Sequence, residues 1–432
     1  MGCVLRDGGE FVNANLRCLG VLVARYDAAW VSGLMLLLIV GVGGCGARGM
    51  PSAGRAGRTA GPVTVYVAKA ADDTVTPILA ASNTAGQPIR VGPGPAQIAI
   101  SPDGQTAYVV GVGALQPDAA AGPVTLTAIG TATNRPGRIV TACAPDKLNA
   151  AIGFTVDTIA ITPDGGTVYV SCPGTGGVVP VRAGADAAAE PIRVSSAGAL
   201  AMAAGGRTVY VANFDGDTIT PISTATGEPG QPITVGPSPQ DMAVTPDGGT
   251  VLVLTSAGLT PVDAATNRAG RPVAIQGASA LAVAPGGTAY VLAMPDSDSQ
   301  QGFVVPVHVR TGTTGRPIRV GLSPLQIAVT PDGTMAYVAN YASASVTPIR
   351  LAGGQAGPAI AAGKIPTRLA ASPDGTTVYV LDSNIFVGLG PGIASARSPF
   401  GIGRVIPIRV AANSAGRPIK VGRFPIAMAI AA

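Results

Sequence analysis

Few side chains in this 432-residue chain can do acid–base, nucleophilic or metal chemistry. His308 is the only histidine, and Glu10, Glu190 and Glu228 are the only glutamates. No set of His, Cys and carboxylates shows metal-ligand spacing. No metal or cofactor is therefore expected, and no catalytic residue is assigned. Five aspartates recur instead, each between a Pro and a Gly: Asp103, Asp164, Asp247, Asp332 and Asp374. Such a carboxylate can ligate calcium, take part in catalysis, or hydrogen-bond the backbone and fix a turn. Regular recurrence favours the turn.

The five cysteines divide into two groups. Cys3, Cys18 and Cys45 lie at or before the end of an uncharged stretch, residues 28–44, that holds the run Leu34-Met35-Leu36-Leu37-Leu38-Ile39-Val40. Arg17 and Arg25 precede it. A basic part, a short apolar part and small residues read as an export signal. The ending Val42-Gly43-Gly44-Cys45 resembles a bacterial lipobox, which makes Cys45 the lipidation candidate. A plain membrane anchor is the alternative, although seventeen uncharged residues are marginal for spanning. Residues 1–25 are long for the charged part of a signal, which points to a start further downstream. Residues 46–62, mostly Gly, Ala, Arg, Ser and Pro, read as a flexible tether. Only Cys143 and Cys172 remain beyond it. After export they would form a disulfide, with two free thiols as the alternative.

The elements that must position these groups repeat about every forty residues. A Pro-Asp-Gly turn leads to a Tyr-Val strand at Tyr108-Val109, Tyr169-Val170, Tyr337-Val338 and Tyr379-Val380. Each unit holds four short apolar segments, a to d, running from the axis of a β-propeller outwards. Strand a is of the Ile-Ala-Ile type, b carries the Tyr, c carries Thr-Pro-Ile, and d opens with Pro-Ile. Seven of the nine tyrosines occupy one repeat position, which argues packing between sheets. The Pro in strand c lacks an N–H, so either a bulge or a broken ladder is expected there.

The repeat count gives eight blades. The alternative is seven, because the unit at residues 198–211 has Gly205-Gly206 in place of Pro-Asp. The first unit enters at strand b, and residues 426–430 form a strand a with no b after it. The two halves should pair and close the ring, covering an open edge. The expected organisation is an export signal over 1–45, a tether over 46–62 and an all-β propeller over 63–432.

Long insertions fall on one end of the blades, at residues 111–122, 141–155, 293–302 and 382–404. Variable loops gathered on one face are the usual binding surface of a repeat protein. Asn213, Asp215, Asp217, Asn340, Tyr341, Asp382, Asn384, Phe386 and Arg397 are the candidate contacts there. His308 aligns with Leu79, Arg182, Ser223, Asp263, Arg350 and Arg409, a tolerance that marks an exposed site. Arg90, Arg193, Arg319 and Lys420 of strand d line the rim, where charge protects an edge strand. Net charge is +5, but the Lys and Arg are scattered, which argues against nucleic acid.

Tyr210-Val211-Ala212-Asn213, Tyr337-Val338-Ala339-Asn340, the Pro-Asp-Gly turns and Ala132-Thr133-Asn134 resemble the YVTN family of β-propeller repeats. The likeness covers residues 63–432. It implies a bacterial or archaeal surface or periplasmic protein and says almost nothing about activity. The strand-c Pro departs from that pattern. Trp30, the only Trp, precedes the repeats, which excludes propellers built on a Trp-Asp signature. A monomeric binding module is the reading: exported, held on the outer face of the cytoplasmic membrane or at the cell surface, and contacting a protein, glycan or small ligand. A lactonase- or lyase-type enzyme with its site at the axial mouth is the alternative, and a structural surface module is a third.

Overall fold

The described residues form eight separate antiparallel sheets, seven built from consecutive strands and one that joins the last strand of the chain to the first ones. The computed structural model describes residues 63–113, 122–145, 159–213, 215–296, 298–383 and 401–432. The expected signal and tether, with Cys45, lie outside the described residues. Eight sheets give eight blades, and the unit with Gly205-Gly206 forms a regular one. Gly206, at φ 68°, makes the same turn, and its N–H donates to the Ala203 carbonyl at 2.8 Å.

The ring closes between the two ends of the repeat region. Strand b of blade 1 (Thr64–Lys69) pairs on one side with strand c (Thr74–Leu79). On its other side it pairs with the last strand of the chain (Pro425–Ala431), which serves as strand a of that blade. Val67 stands opposite Met428, and Tyr66 opposite Ala429. No blade therefore has an inner strand without its own b neighbour.

Each seam between neighbouring blades holds its own apolar cluster. The seam between blades 4 and 5 packs Tyr210, Ile219, Val251, Val253 and Val262, all essentially inaccessible. The closing seam packs Tyr379, Leu381 and Val405 of blade 8 against Val65 and Val67 of blade 1. The repeated Tyr fills these seams: Tyr66, Tyr210 and Tyr337 have no exposed surface. Small residues in strand a let the inner strands converge, as Ala99 and Ala328 do opposite Tyr108 and Tyr337.

Strand-c prolines break the ladder on its outer side. Tyr66 faces Pro77 across the b–c pair, so the nitrogen of Pro77 points towards strand d. There strand d is cut into Thr84–Ala85 and Ile89–Arg90. Between the pieces, the Gly86 N–H donates to the Pro77 carbonyl at 2.7 Å. A Cβ on Gly86 would meet the Pro77 ring at 3.2 Å. Gly230, Gly270, Gly315, Gly357 and Gly416 repeat the contact over Pro221, Pro261, Pro306, Pro348 and Pro407. Blade 2 has Ala128 at this position, and its outer strand is one nine-residue element (Arg135–Cys143), although its register with strand c shifts at Ala128.

Candidate functional site

Strands b run towards one end of the ring and strands c run back, so the b–c loops and the d–a linkers share that end. The a–b and c–d turns share the other.

The turn end is built from self-satisfied motifs. In blade 3 the Thr162 hydroxyl donates to Asp164 Oδ1 at 2.5 Å, and the same oxygen accepts the Gly166 N–H at 2.9 Å. Thr162 Oγ1 in turn accepts the Thr167 N–H at 2.9 Å. Ser101/Asp103, Thr245/Asp247, Thr330/Asp332 and Ser372/Asp374 repeat this arrangement. The hydroxyl bond, with backbone donors, holds Asp164, Asp247, Asp332 and Asp374 below the usual carboxylate range. These carboxylates fix turns. Among the described residues no three His, Cys, Asp or Glu groups converge as a metal set would.

The insertion end is less uniform. Asn213 is buried, and its Nδ2 donates to Thr218 Oγ1 at 2.6 Å and to Thr220 Oγ1 at 3.0 Å. Asn340 is buried too. Its Oδ1 accepts the Gly321 N–H at 3.1 Å, and its Nδ2 donates to Thr347 Oγ1 at 2.9 Å. Asp382 Oδ1 accepts the N–H groups of Lys364 and Ile365, at 3.2 and 2.9 Å. These three candidates stand at the expected end, but their side chains turn inward and brace the b–c and d–a connections. Their burial follows from position: each ends a strand b whose residues are buried on both faces.

Asp215 and Asp217 are exposed, and Tyr341 is half-buried. The Ser196 hydroxyl donates to Asp215 across the loops of blade 4. Burial pushes the Tyr341 phenol up, so it stays a hydrogen-bond donor at neutral pH. Asn384, Phe386 and Arg397 lie outside the described residues, as do most of the insertions at 111–122, 141–155 and 382–404.

Two features of this end were missed in the sequence. Asp72 accepts from Lys69 Nζ at 3.4 Å and from Arg423 Nη2 at 3.5 Å, joining the first b–c loop to the last d–a linker. Beside it, Phe424 sits at φ 53°. Gly94, Ser196, Ser238, Gly277 and Ser323 adopt the same left-handed conformation before strand a in other blades. A bulky side chain there carries strain of about 1–2 kcal/mol. The signal was the aromatic standing where the repeat uses Gly or Ser.

Cys143, at the end of the outer strand of blade 2, is bonded to Cys172 at the end of strand b of blade 3 (Thr167–Cys172). The bridge crosses a seam at the insertion end, with 5.8 Å between the Cα atoms.

The axial strands are more polar than the Ile-Ala-Ile pattern suggested. Gln97, Asp241, Gln326 and Arg368 occupy one strand-a position in blades 2, 5, 7 and 8. Gln326 reaches the inner strand of the next blade. Its Nε2 donates to the Leu369 carbonyl at 3.1 Å, and its Oε1 accepts the Leu369 N–H. A side-chain amide thus stands in for a neighbouring strand at an inner edge. The aliphatic residues that follow masked this position in the sequence.

The described insertion end offers exposed carboxylates, a phenol, an aromatic ring and an ion cluster. Such a surface can hydrogen-bond and stack against a ligand. It pairs no general acid with a base.

No family model matches the chain, and no curated protein sequence matches it. Solved structures do. The chain is similar to dihydro-heme d1 dehydrogenase NirN in complex with DHE, at TM-score 0.65 and 14% identity, over 88% of this chain and 77% of that one. It is similar to apo AztD from Citrobacter koseri, at TM-score 0.58 and 13% identity, over 86% of this chain and 98% of that one. Hydrazine synthase of Kuenenia stuttgartiensis matches at TM-score 0.53 and 19% identity, over 74% of this chain and 96% of that one. Identities this low concern the fold, and the fold is that of an eight-bladed propeller.

Proposed function

We propose that this chain is an exported, membrane-tethered propeller of the YVTN type that binds a protein, glycan or small ligand through its insertion end. The asymmetry between the two ends carries the reading. At the turn end every Pro-Asp-Gly carboxylate is spent on its own turn. The opposite end varies from blade to blade and keeps Asp215, Asp217 and Tyr341 at the surface. Phe424 holds a strained conformation there, and strain persists where the surroundings over-determine it, often at ligand sites. The Cys143–Cys172 bridge suits an oxidising compartment outside the cytoplasm. Lipidation at Cys45 and the tether over 46–62 would hold the ring beside a membrane.

The test is capture from an envelope extract with the full chain. One variant carries Asp215→Ala, Asp217→Ala and Tyr341→Ala. Another carries Arg207→Ala and Thr334→Ala at the turn end. Loss of the captured component with the first variant and its retention with the second supports the reading. The reverse pattern overturns it.

The axial residues favour a second reading, an enzyme of lactonase or lyase type with its site at the axial mouth. Asp241 and Arg368 are the charged groups of that ring among the described residues. Lactone turnover that survives in the triple Ala variant but disappears in Asp241→Asn would select it.

A further inference from the structure

Charge on the outer wall is sorted by blade. From the start of strand c to the end of strand d, blades 6, 7, 8, 1 and 2 together carry twelve Arg or Lys and no Asp or Glu. These five blades are contiguous because blade 8 closes onto blade 1. The same strands of blades 3, 4 and 5 carry four basic and four acidic residues. Blade 8 is the richest, with Arg404, Arg409, Arg417, Lys420 and Arg423, all exposed.

Among the described residues the exposed large aliphatic side chains follow the same division. Leu79, Ile139, Leu322 and Ile402 are 39–51% accessible and belong to blades 1, 2, 6 and 8. In blade 8 the two kinds of residue are neighbours. Ile402 stands opposite Arg423, and Arg404 opposite Lys420, across the c–d pair (Ile402–Arg409 with Ile419–Arg423). Blade 6 pairs Phe303 with Arg319, and Gln301 with Leu322.

We propose that the outer wall centred on blade 8 docks on the surface of an anionic phospholipid bilayer. Guanidinium and ammonium groups meet the lipid phosphates, and the aliphatic side chains between them enter the headgroup region. A hydrated polyanion would satisfy the bases but would leave Ile402 and Leu322 in water. The absence of any carboxylate from the outer strands of five consecutive blades removes the repulsion such a surface would otherwise impose. The chain enters the ring beside strand b of blade 1, the blade next to blade 8.

Co-sedimentation of the full chain with phosphatidylcholine vesicles, with and without 30 mol% phosphatidylglycerol (on the order of a native anionic leaflet), tests this. The difference between the two vesicle types reads the wall, because an inserted anchor would partition into both. Binding should rise with phosphatidylglycerol and fall with added salt. Arg404→Glu/Arg409→Glu/Lys420→Glu should remove the rise, about fivefold for each base lost and roughly a hundredfold for the three. Ile402→Ser should weaken binding about threefold. Arg182→Glu/Arg268→Glu/Arg271→Glu makes the same charge change on blades 3 and 5 and should leave most of the rise in place. Equal binding to both vesicle types overturns the proposal. So does an equal loss in the two triple variants, or capture by heparin without capture by anionic vesicles.

Discussion

The Tyr66 hydroxyl donates to Asn134 Oδ1 at 2.7 Å, across the seam between blades 1 and 2. Tyr210 reaches Asn267 at 2.6 Å and Tyr337 reaches Asn413 at 2.7 Å in the same way. Each Asn belongs to a c–d turn and is left-handed, at φ 53°, 55° and 47°. One side chain thus tolerates the turn conformation and accepts the neighbour's hydroxyl. Tyr66→Phe should cost about 1 kcal/mol of stability in a denaturant titration. Asn134→Gly should cost about as much, and Asn134→Ala about 1 kcal/mol more, because Ala strains the left-handed turn. A double-mutant cycle between Tyr66→Phe and Asn134→Gly should recover about 1 kcal/mol of coupling.

Stability should fall at both extremes of pH. The turn carboxylates Asp164, Asp247, Asp332 and Asp374 lie below the ordinary value near 3.8 because Ser or Thr hydroxyls bond them. Their contribution is complete above that value and is lost as pH drops through the lowered folded values. Burial pushes Tyr66 and Tyr337 up to about 12. For these groups the unfolded chain ionises first, so stability is full below pH 10 and declines between 10 and about 12. Thermal melts from pH 2 to 11 should show a plateau flanked by both declines. A melting point unchanged below pH 4 would contradict the turn account.

Hydrogen exchange should single out blade 2. Amides of its single outer strand, Arg135–Cys143, should exchange more slowly than those of the outer strands that a Pro interrupts. Uniform exchange across all eight outer strands would contradict the link between the strand-c Pro and the cut in strand d.

Much of the fold was legible because the period repeats one solution. Tyr66 and Tyr337 could be placed in seams because a large residue returns at one position in every blade. Closure was legible because one strand a had no b and one b had no a. The strand-c Pro announced a defect without choosing it. Deciding required the Gly86-type residues that pack over the ring, and their spacing looks like ordinary turn composition. The site was harder. Asn213, Asn340 and Asp382 are polar residues at loop ends, and sequence cannot tell an inward bracing side chain from an outward contact. Gln326 was invisible for the opposite reason: a polar residue at the head of an apolar strand looks like a boundary, yet it supplies a missing strand neighbour.

The Cys143–Cys172 bridge closes 29 residues of sequence. Cys143→Ala/Cys172→Ala should therefore lower stability by about 3 kcal/mol relative to the oxidised chain. A loss below about 0.5 kcal/mol would mean that the flanking seam is already fixed by packing, within the range such bridges show.

Every assignment of face and wall rests on the closing pair of strands. Val67→Cys/Met428→Cys places two thiols on directly opposed residues, in a background with Cys3, Cys18 and Cys45 replaced by Ser. Opposed residues on antiparallel strands lie about 4.5–5.5 Å apart between Cα atoms, within reach of a disulfide. A closed ring gives a single intramolecular link between the peptides carrying positions 67 and 428, found by mass spectrometry after mild oxidation of the folded chain. Free thiols at both positions, in protein that melts cooperatively, would contradict the closed ring.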